Sequence, residues 1–239
     1  MRLSIVVPAF NEEKLLPACL SSAFAAAAAC GLADFEVVVC DNNSTDATAR
    51  VAREGGAKVV FEPVNKISRS RNAGAAAATG DWLLFIDADS VLSAGSLGAM
   101  LSAAEGGKVV GGGSVIDFDR KPWWGALMVA LWRALSRTAR WAAGSFVFCR
   151  ADAFRAVGGF PADFASGEEV VLSRDLKRWG RGRGLGFVIL ADEPHVSSGR
   201  KFYLYRPSEF LAMMWKIARS PTRGIRDNSV NTIFYDGRR

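Results

Sequence analysis

Five short apolar runs, LSIVV (3–7), FEVVVC (35–40), KVVF (58–61), WLLFI (82–86) and KVVGGGSV (108–115), alternate with helix-like segments through the first half of the chain. This alternation constrains the fold more than any other feature. Apolar runs of this length read as strands buried on both faces, and strand–helix repetition feeds a mostly parallel sheet covered by helices on each side. Leu16, Leu20 and Phe24 fall at helical spacing, and the alanines of 23–29 propagate a helix well. Residues 44–54, 67–78 and 95–104 fill the next gaps. The predicted class is therefore α/β and Rossmann-like. In such sheets ligands bind beyond the carboxyl ends of the strands. Three polar clusters then share one rim: PAFNEE after the first strand, DNNSTD after the second and DADS after the fourth.

The pattern changes after about residue 117. Residues 123–142 predict an amphipathic helix, with Trp124, Leu127, Leu131 and Leu135 on one face and Arg133, Arg137 and Arg140 on the other. A strand-like GSFVFCR (144–150), a GGFP turn, a helix near 168–179 and a strand-like FVIL (187–190) follow. The tail 208–219 is again helical in pattern, with Phe210, Met213, Met214 and Ile217 on one side. The sequence shows no internal repeat.

Half of the 239 residues are apolar, which is globular composition, and the net charge of +6 favours anionic partners such as nucleotides, phosphates or acidic lipid. Cys19, Cys30, Cys40 and Cys149 are scattered in apolar contexts without a CxxC pair, as expected of reduced core thiols in a cytoplasmic protein. MRLSIVVPAF runs directly into a strand, so no signal peptide is expected. No stretch reaches the roughly 18 apolar residues that span a bilayer. The expectation is a cytoplasmic protein, either soluble or at the inner face of the cell membrane.

WLLFIDADS (82–90) ends a buried run in two carboxylates. If the segment stays extended, Asp87 and Asp89 point to the same side and Ala88 away. Two such groups suit a hard divalent cation, Mg²⁺ or Mn²⁺, shared with substrate phosphates. In the alternative reading one aspartate caps the helix near 95 and the other is solvated.

PAFNEE, DNNSTDAT, RSRNAGAAAATGDWLLFIDAD and GEEVVLSRDL, in that order, resemble the family 2 glycosyltransferases of the GT-A fold over residues 3 to about 195. The resemblance implies transfer of a sugar from a nucleotide-diphosphate donor, with a divalent cation (Mn²⁺ or Mg²⁺) and inversion at the anomeric carbon. It implies a UDP-sugar first and a GDP-sugar second, and a sugar or lipid-linked acceptor. Residues 1–117 would form the donor-binding half of one GT-A domain, 118–200 the acceptor-side catalytic half and 201–239 a helical tail. Pro8, Ala9, Phe10 and Glu12 match the loop that holds the nucleoside, with Glu12 on the ribose hydroxyls. Asp41 matches the acidic residue that meets the base, although the family more often reads aspartate-aspartate-glycine where this chain has Asp41, Asn42 and Asn43. Arg71, Asn72 and Gly74 match an RNxG segment, with Arg71 near the diphosphate. Asp87 and Asp89 match the metal motif, with Asp89 the direct ligand.

Taken singly, each position has a plainer reading. Asn43 to Asp46 would cap a helix, Glu12 would be a first-turn charge and Arg71 would lie on an exposed face. Inverting transfer needs a base for the acceptor hydroxyl, and the resemblance assigns it to Glu169, with Glu168 as its acidic neighbour. The alternative is a capping box from Ser166 to Glu169. His195, the only histidine, matches a late metal ligand of the family, and is otherwise a surface residue of a Pro-containing loop. Arg200 and Lys201 would clamp the leaving diphosphate, or form a basic surface run.

The 123–142 helix either lies on an anionic membrane near a lipid-linked acceptor or packs on the sheet with its arginines solvated, the default for an amphipathic helix. The Met-rich tail poses the same choice, or a dimer contact. A nucleotidyltransferase of similar fold would need a basic glycine-rich loop where PAFNEE is acidic, and a non-catalytic nucleotide-binding scaffold would not need Asp87, Asp89 and Glu169. No aromatic-basic platform for nucleic acid is present.

Overall fold

The computed structural model describes residues 1–164, 167–205 and 208–209. The first half alternates as expected: β1 (Leu3–Ala9), α1 (Leu16–Ala29), β2 (Phe35–Asp41), α2 (Thr48–Glu54), β3 (Lys58–Phe61), α3 (Ile67–Ala77), β4 (Trp82–Ile86), β5 (Ser90–Val91), α4 (Ala94–Glu105) and β6 (Val109–Phe118). Then come α5 (Trp123–Ala139), β7 (Phe146–Arg150), α6 (Ala151–Ala156), α7 (Glu168–Arg181), β8 (Gly186–Ser197) and α8 (Lys201–Leu204). The strands form one sheet in the order β3-β2-β1-β4-β7-β6-β8-β5. β3, β2, β1 and β4 are parallel, β7 inserts antiparallel beside β4, and β6 and β8 resume the first direction. Only β7 and the short β5 run against the rest.

The uninterrupted apolar runs are explained by burial on both sheet faces. Leu3, Ile5 and Val7 of β1, with Leu84 and Ile86 of β4, pack towards α1 and α4 through Leu16, Leu20, Leu97 and Met100. Val6, Leu83 and Phe85 point the other way, to Ala75 of α3, Phe154 of α6 and Leu172 and Leu176 of α7. Gly74 lets α3 lie close on the sheet, because a Cβ there would come within 2.5 Å of Val6 Cγ1.

Two expectations are overturned. The last strand does not stop at residue 190: β8 continues to Ser197, so Pro194 and His195 are strand residues rather than loop residues. The pairing with β6 shifts between Ser114 and Ile116, leaving a bulge over 191–194 where a proline costs no ladder hydrogen bond. The second concerns α5. It buries Gly125, Val129 and Ser136, while Leu127, Leu131 and Leu135 are exposed. Arg133, expected in solvent, instead donates through Nε to the Ile116 carbonyl at 2.8 Å and pairs with Asp117 at 3.0 Å. An ionic anchor at the end of β6 thus turns the helix so that its leucines face outward, with Trp124 alone of that face packed, against Phe202 of α8. The tail 210–219 lies outside the described residues.

Candidate active site

β1 and β2 run in register to Ala9↔Asp41, so Pro8, Ala9 and Asp41 arrive side by side at the rim and the loops that follow interlock. Asn11, held at φ 52°, accepts from the Thr45 amide at 2.8 Å, and the amide of Glu12 donates to Thr48 Oγ1 at 2.8 Å. The Glu13 carboxylate accepts from the Ala47 amide at 3.0 Å. The DNNSTDAT run therefore joins two loops, and it also caps α2 as the plainer reading expects: Ala47 makes no side-chain cap, but the Asp46 carboxylate accepts from the Thr48 amide at 2.9 Å. Asp41 accepts from the Ser44 amide at 3.0 Å. Asn42 is buried, donates to the Glu62 and Val64 carbonyls and accepts from the Lys66 amide, so it holds the approach to α3. Asn43 sits at φ 64°, where the family pattern more often has glycine, and asparagine is among the few residues that tolerate this region.

The DADS segment is not extended. Residues 87–89 turn, with the Ser90 amide donating to the Asp87 carbonyl at 3.0 Å, and Ala88 is buried in the core. The capping alternative is also excluded, because Ser93 caps α4 through the Ser96 amide. Asp89 accepts from Ser197 Oγ at 3.3 Å and pairs with Arg200 at 3.3 Å. Arg200 also donates to both oxygens of Glu12. Glu12 precedes α1, whose first turn holds no acidic residue, so it is not a helix-dipole charge. Burial works against the charge of Arg200, but Glu12 and Asp89 outweigh it and raise its pKa. The side chain of Lys201 lies outside the described residues.

Arg71 is buried and not on an exposed face. Its guanidinium donates to Glu168 at 2.7 Å, to Asp87 at 2.9 Å and to the Gly144 carbonyl at 2.9 Å, and lies 5.2 Å from the Phe160 ring centre. Gly144 makes room for it, since a Cβ there would meet Arg71 Nη2 at 3.0 Å. Burial opposes this charge, and Asp87 and then Glu168 more than offset the burial. Asn72 seals the neighbouring turn, exchanging hydrogen bonds with both backbone groups of Phe160. The three polar or small positions of RNxG thus serve three contacts: carboxylates, the 160 turn and β1.

Glu168 and Glu169 open α7, preceded by Gly167 at φ 74° with no side-chain cap. Ser166, the other half of the expected capping box, lies outside the described residues. Burial, and then the neighbouring Glu168, push the Glu169 carboxyl up to about 8, with Arg71 pulling the other way. Of the two carboxylates, Glu168 is the one that pairs with Arg71, at 2.7 Å.

His195 is buried rather than on the surface, 5.1 Å from the Phe146 ring, with both ring nitrogens lacking a hydrogen-bond partner. Burial lowers its pKa to about 4 against the opposing pull of Asp87, so the imidazole is neutral at pH 7. A neutral imidazole with orphaned nitrogens, near enough to Asp87 to feel its charge, is a donor that suits a divalent transition ion. Among the described residues no three ligating groups are already gathered around one point. Asp87 is instead turned to Arg71, and Asp89 to Arg200 and Ser197.

Ser197, Gly144 and Phe160 escape the sequence reading. Ser197 lies two residues beyond His195 on the same strand, so the two share a face once β8 is known to continue. Phe160 stands in GGFP, which the sequence marks only as a turn.

Comparison with known proteins adds a family and a fold. Residues 4–160 match the Glycosyl transferase family 2 model. An uncharacterised glycosyltransferase of Mycobacterium tuberculosis is 38% identical over 105 residues, 44% of this chain and 44% of that protein. A PGL/p-HBAD biosynthesis glycosyltransferase of Mycobacterium bovis is 38% identical over 95 residues, 37% of this chain and 36% of that one. The matches thus span less than half the length of these relatives. Among solved structures, a mannosyltransferase of Pyrobaculum calidifontis in complex with GDP-Man and Mn²⁺ superposes with TM-score 0.66 at 18% identity, covering 91% of this chain and 64% of that one. Glucosyl-3-phosphoglycerate synthase of M. tuberculosis, in complex with Mn²⁺, UDP-glucose and phosphoglyceric acid, gives 0.63 at 21%, covering 95% and 81%. These similarities show the shared GT-A fold. With the family model matched across the strands that carry the rim, the chain belongs to glycosyl transferase family 2.

Proposed function

We propose that the protein transfers a sugar from a nucleotide-diphosphate donor to an acceptor hydroxyl, with inversion, in a cation-dependent reaction. The observation that carries this reading is the bridge made by Arg71. One buried guanidinium ties Asp87, at the end of β4, to Glu168, at the start of α7, and so brings the acidic pair to the aspartate motif. Donors of the UDP- or GDP-sugar class are supported by the ligands of the two structural neighbours.

Asp87, Asp89 and His195 would hold the cation, which when bound offsets charge on the departing diphosphate. The rim at Pro8, Ala9, Phe10 and Asp41 receives the nucleoside. Glu12 reaches the ribose only when Arg200 lets it go, so Arg200 exchanges Glu12 for the diphosphate, where its fork suits phosphate oxygens. Glu169 takes the proton of the acceptor hydroxyl as that oxygen attacks the anomeric carbon. The bond from that carbon to the phosphate oxygen breaks, and its electron pair leaves with the diphosphate. One displacement of this kind inverts the centre. A carboxyl raised towards neutrality is the stronger base for this task.

Incubation with UDP-glucose or GDP-mannose and Mn²⁺ tests the reading. Release of the nucleoside diphosphate, lost in Glu169→Gln, supports it. Release of pyrophosphate, or no turnover with a panel of donors and sugar acceptors, overturns it.

A further inference from the structure

The outward leucines of α5 call for an explanation of their own. Trp123 is 82% exposed, Leu127 57%, Leu131 63% and Leu135 45%, and the alanines at 126, 130 and 134 between them are exposed as well. Over 17 residues, about 25 Å of helix, this face carries no charged side chain before Arg137. The helix has turned away from the sheet the side that would ordinarily be buried.

The charge around the stripe is mainly basic, and the two carboxylates just before it, Asp117 and Asp119, are already engaged within the protein. From Arg120 to Ala151 the chain contains six basic residues and no acidic one. Lys121 and Arg133 are occupied with Asp117. Arg120 at one end and Arg137 and Arg140 at the other are exposed. Lys177 donates to the Ala139 carbonyl at the helix terminus, and Arg140 and Arg181 are close enough to act on its charge. The stripe is therefore apolar along its middle and cationic at its Arg137 and Arg140 end, while Arg120 at the other end is exposed but lies over the Tyr203 ring beside Asp119. A second copy laid antiparallel on it would set the Arg137 and Arg140 end against the Arg120 end, whose carboxylates Asp117 and Asp119 already have partners, and so would supply no surplus negative charge to those arginines. A bilayer with anionic headgroups meets both requirements: acyl chains for the leucines and tryptophan, phosphates for the arginines.

We infer that α5 is an interfacial helix whose Trp123, Leu127, Leu131 and Leu135 face seats the protein on an anionic membrane. It does so without crossing it, since no helix among the described residues is long and apolar enough to span a bilayer. The seat is continuous with the candidate active site. Asp119, just before α5, accepts from the Gly199 amide at 2.7 Å and donates its own amide to the Ser197 carbonyl at 3.1 Å. Phe202 packs edge-on to Trp124. The loop that carries Arg200 is thus fixed to the start of the membrane helix. This surface stands on its own observations, independent of the donor chemistry.

The test uses the full chain and sedimentation with vesicles, either of phosphatidylcholine alone or of phosphatidylcholine mixed with phosphatidylglycerol. Binding is expected only with phosphatidylglycerol and is expected to weaken as salt rises. Leu127→Asp with Leu131→Asp is expected to weaken it by roughly tenfold or more, with the thermal midpoint and nucleotide binding unchanged. Trp123→Phe is expected to remove most of the emission change seen on vesicle addition. Equal binding to both vesicle types, or no effect of the paired aspartates, overturns the inference. So does a dimer, measured by sedimentation, that those substitutions dissociate. Failure of a cysteine at position 127 to react with maleimide in the vesicle-free protein overturns it too, because another part of the chain would then cover the face.

Discussion

Replacing Arg71 with methionine isolates what the buried guanidinium contributes. Methionine keeps an unbranched, apolar stem and removes the charge together with the donors to Glu168, Asp87 and Gly144. The two carboxylates fare differently. The Glu168 side chain is 5% exposed and would be left as an unpaired buried charge, whereas that of Asp87, 31% exposed, keeps access to water. Removing one partner of a buried pair costs about 3–5 kcal/mol. At about 2–4 °C per kcal/mol for a chain of this size, the thermal midpoint falls by about 6–20 °C. Most of that cost belongs to Glu168, so Arg71→Met with Glu168→Gln should regain at least about 1 kcal/mol over Arg71→Met alone. Arg71→Lys keeps the charge but not the fork that reaches acceptors on three segments, and it should fall between wild type and Arg71→Met. Arg50→Met, which breaks the exposed pair with Glu54, is the control and should change stability by no more than about 0.5 kcal/mol. Calorimetric melts with chelator present keep ligand binding out of the comparison. If Arg71→Met melts within about 1 °C of wild type, or Glu168→Gln restores nothing, Arg71 does not hold α7 against β4 and the bridge cannot define the site.

Glu169→Gln should cost about 10²–10⁴ in kcat with donor affinity retained, and wild-type kcat/KM should rise with pH up to about 8, as the carboxyl gives up its proton. Equal activity of the glutamine variant would remove Glu169 from the chemistry. Asp89→Asn should weaken nucleotide-diphosphate binding in Mn²⁺ by roughly tenfold or more, and chelator should do the same to wild type; titration calorimetry that shows neither excludes the cation. His195 carries a stability slope. Its folded pKa of about 4 lies below 6.5, so the unfolded chain binds the extra proton and stability falls as pH drops from about 6.5 towards 4. At about 1.4 kcal/mol per pH unit that amounts to about 3 kcal/mol, absent in His195→Gln. Urea titrations across that window with superimposable slopes for both proteins would show that the imidazole is not buried neutral. Arg200→Gln should leave the fold intact while raising KM for the donor by roughly tenfold through the lost diphosphate contact; a lower KM would mean that Arg200 only blocks Glu12.

The sheet was legible because its signal is local. The parallel strands β1 to β4 are short apolar runs, and Leu3 to Ala9 or Trp82 to Ile86 needs no partner to be recognised. The rim clusters followed from strand direction alone. Side-chain partners were not legible in the same way. RNxG marks Arg71, but the pattern cannot show that its guanidinium crosses to Glu168, 97 residues away. The turn at 87–89 has no local signal, because it is imposed from a distance: Ser90 leaves the line of β4 to pair with Ser197 of β8. Pro194 argues against a strand at His195, and only the bulge opposite β6 reconciles the proline with the continuing strand. The departure from the family's aspartate-aspartate-glycine is accounted for by backbone: Asn43 keeps the left-handed residue, and Asn42 replaces an acid with an amide that donates as well as accepts.

The helix at 123–139 shows a limit of a different kind. Its periodicity correctly separates two faces, yet periodicity carries no information on which face the rest of the chain will take. That is decided by what each face meets. The Arg133 side has a fixed carboxylate and an open carbonyl waiting at Asp117 and Ile116, and Gly125 allows Phe202 to approach to within 3.2 Å of where a Cβ would stand. The leucine side offers only apolar area, which any apolar surface can cover. A specific ionic and steric fit fixes the helix on the protein, and the non-directional hydrophobic effect is left free for a partner outside it. A bilayer is such a partner, because it asks for no register. The same reasoning explains why Arg137 and Arg140 at the end of the stripe stay exposed: bound to the protein they would fix the helix a second time, whereas in solution they remain available to phosphate.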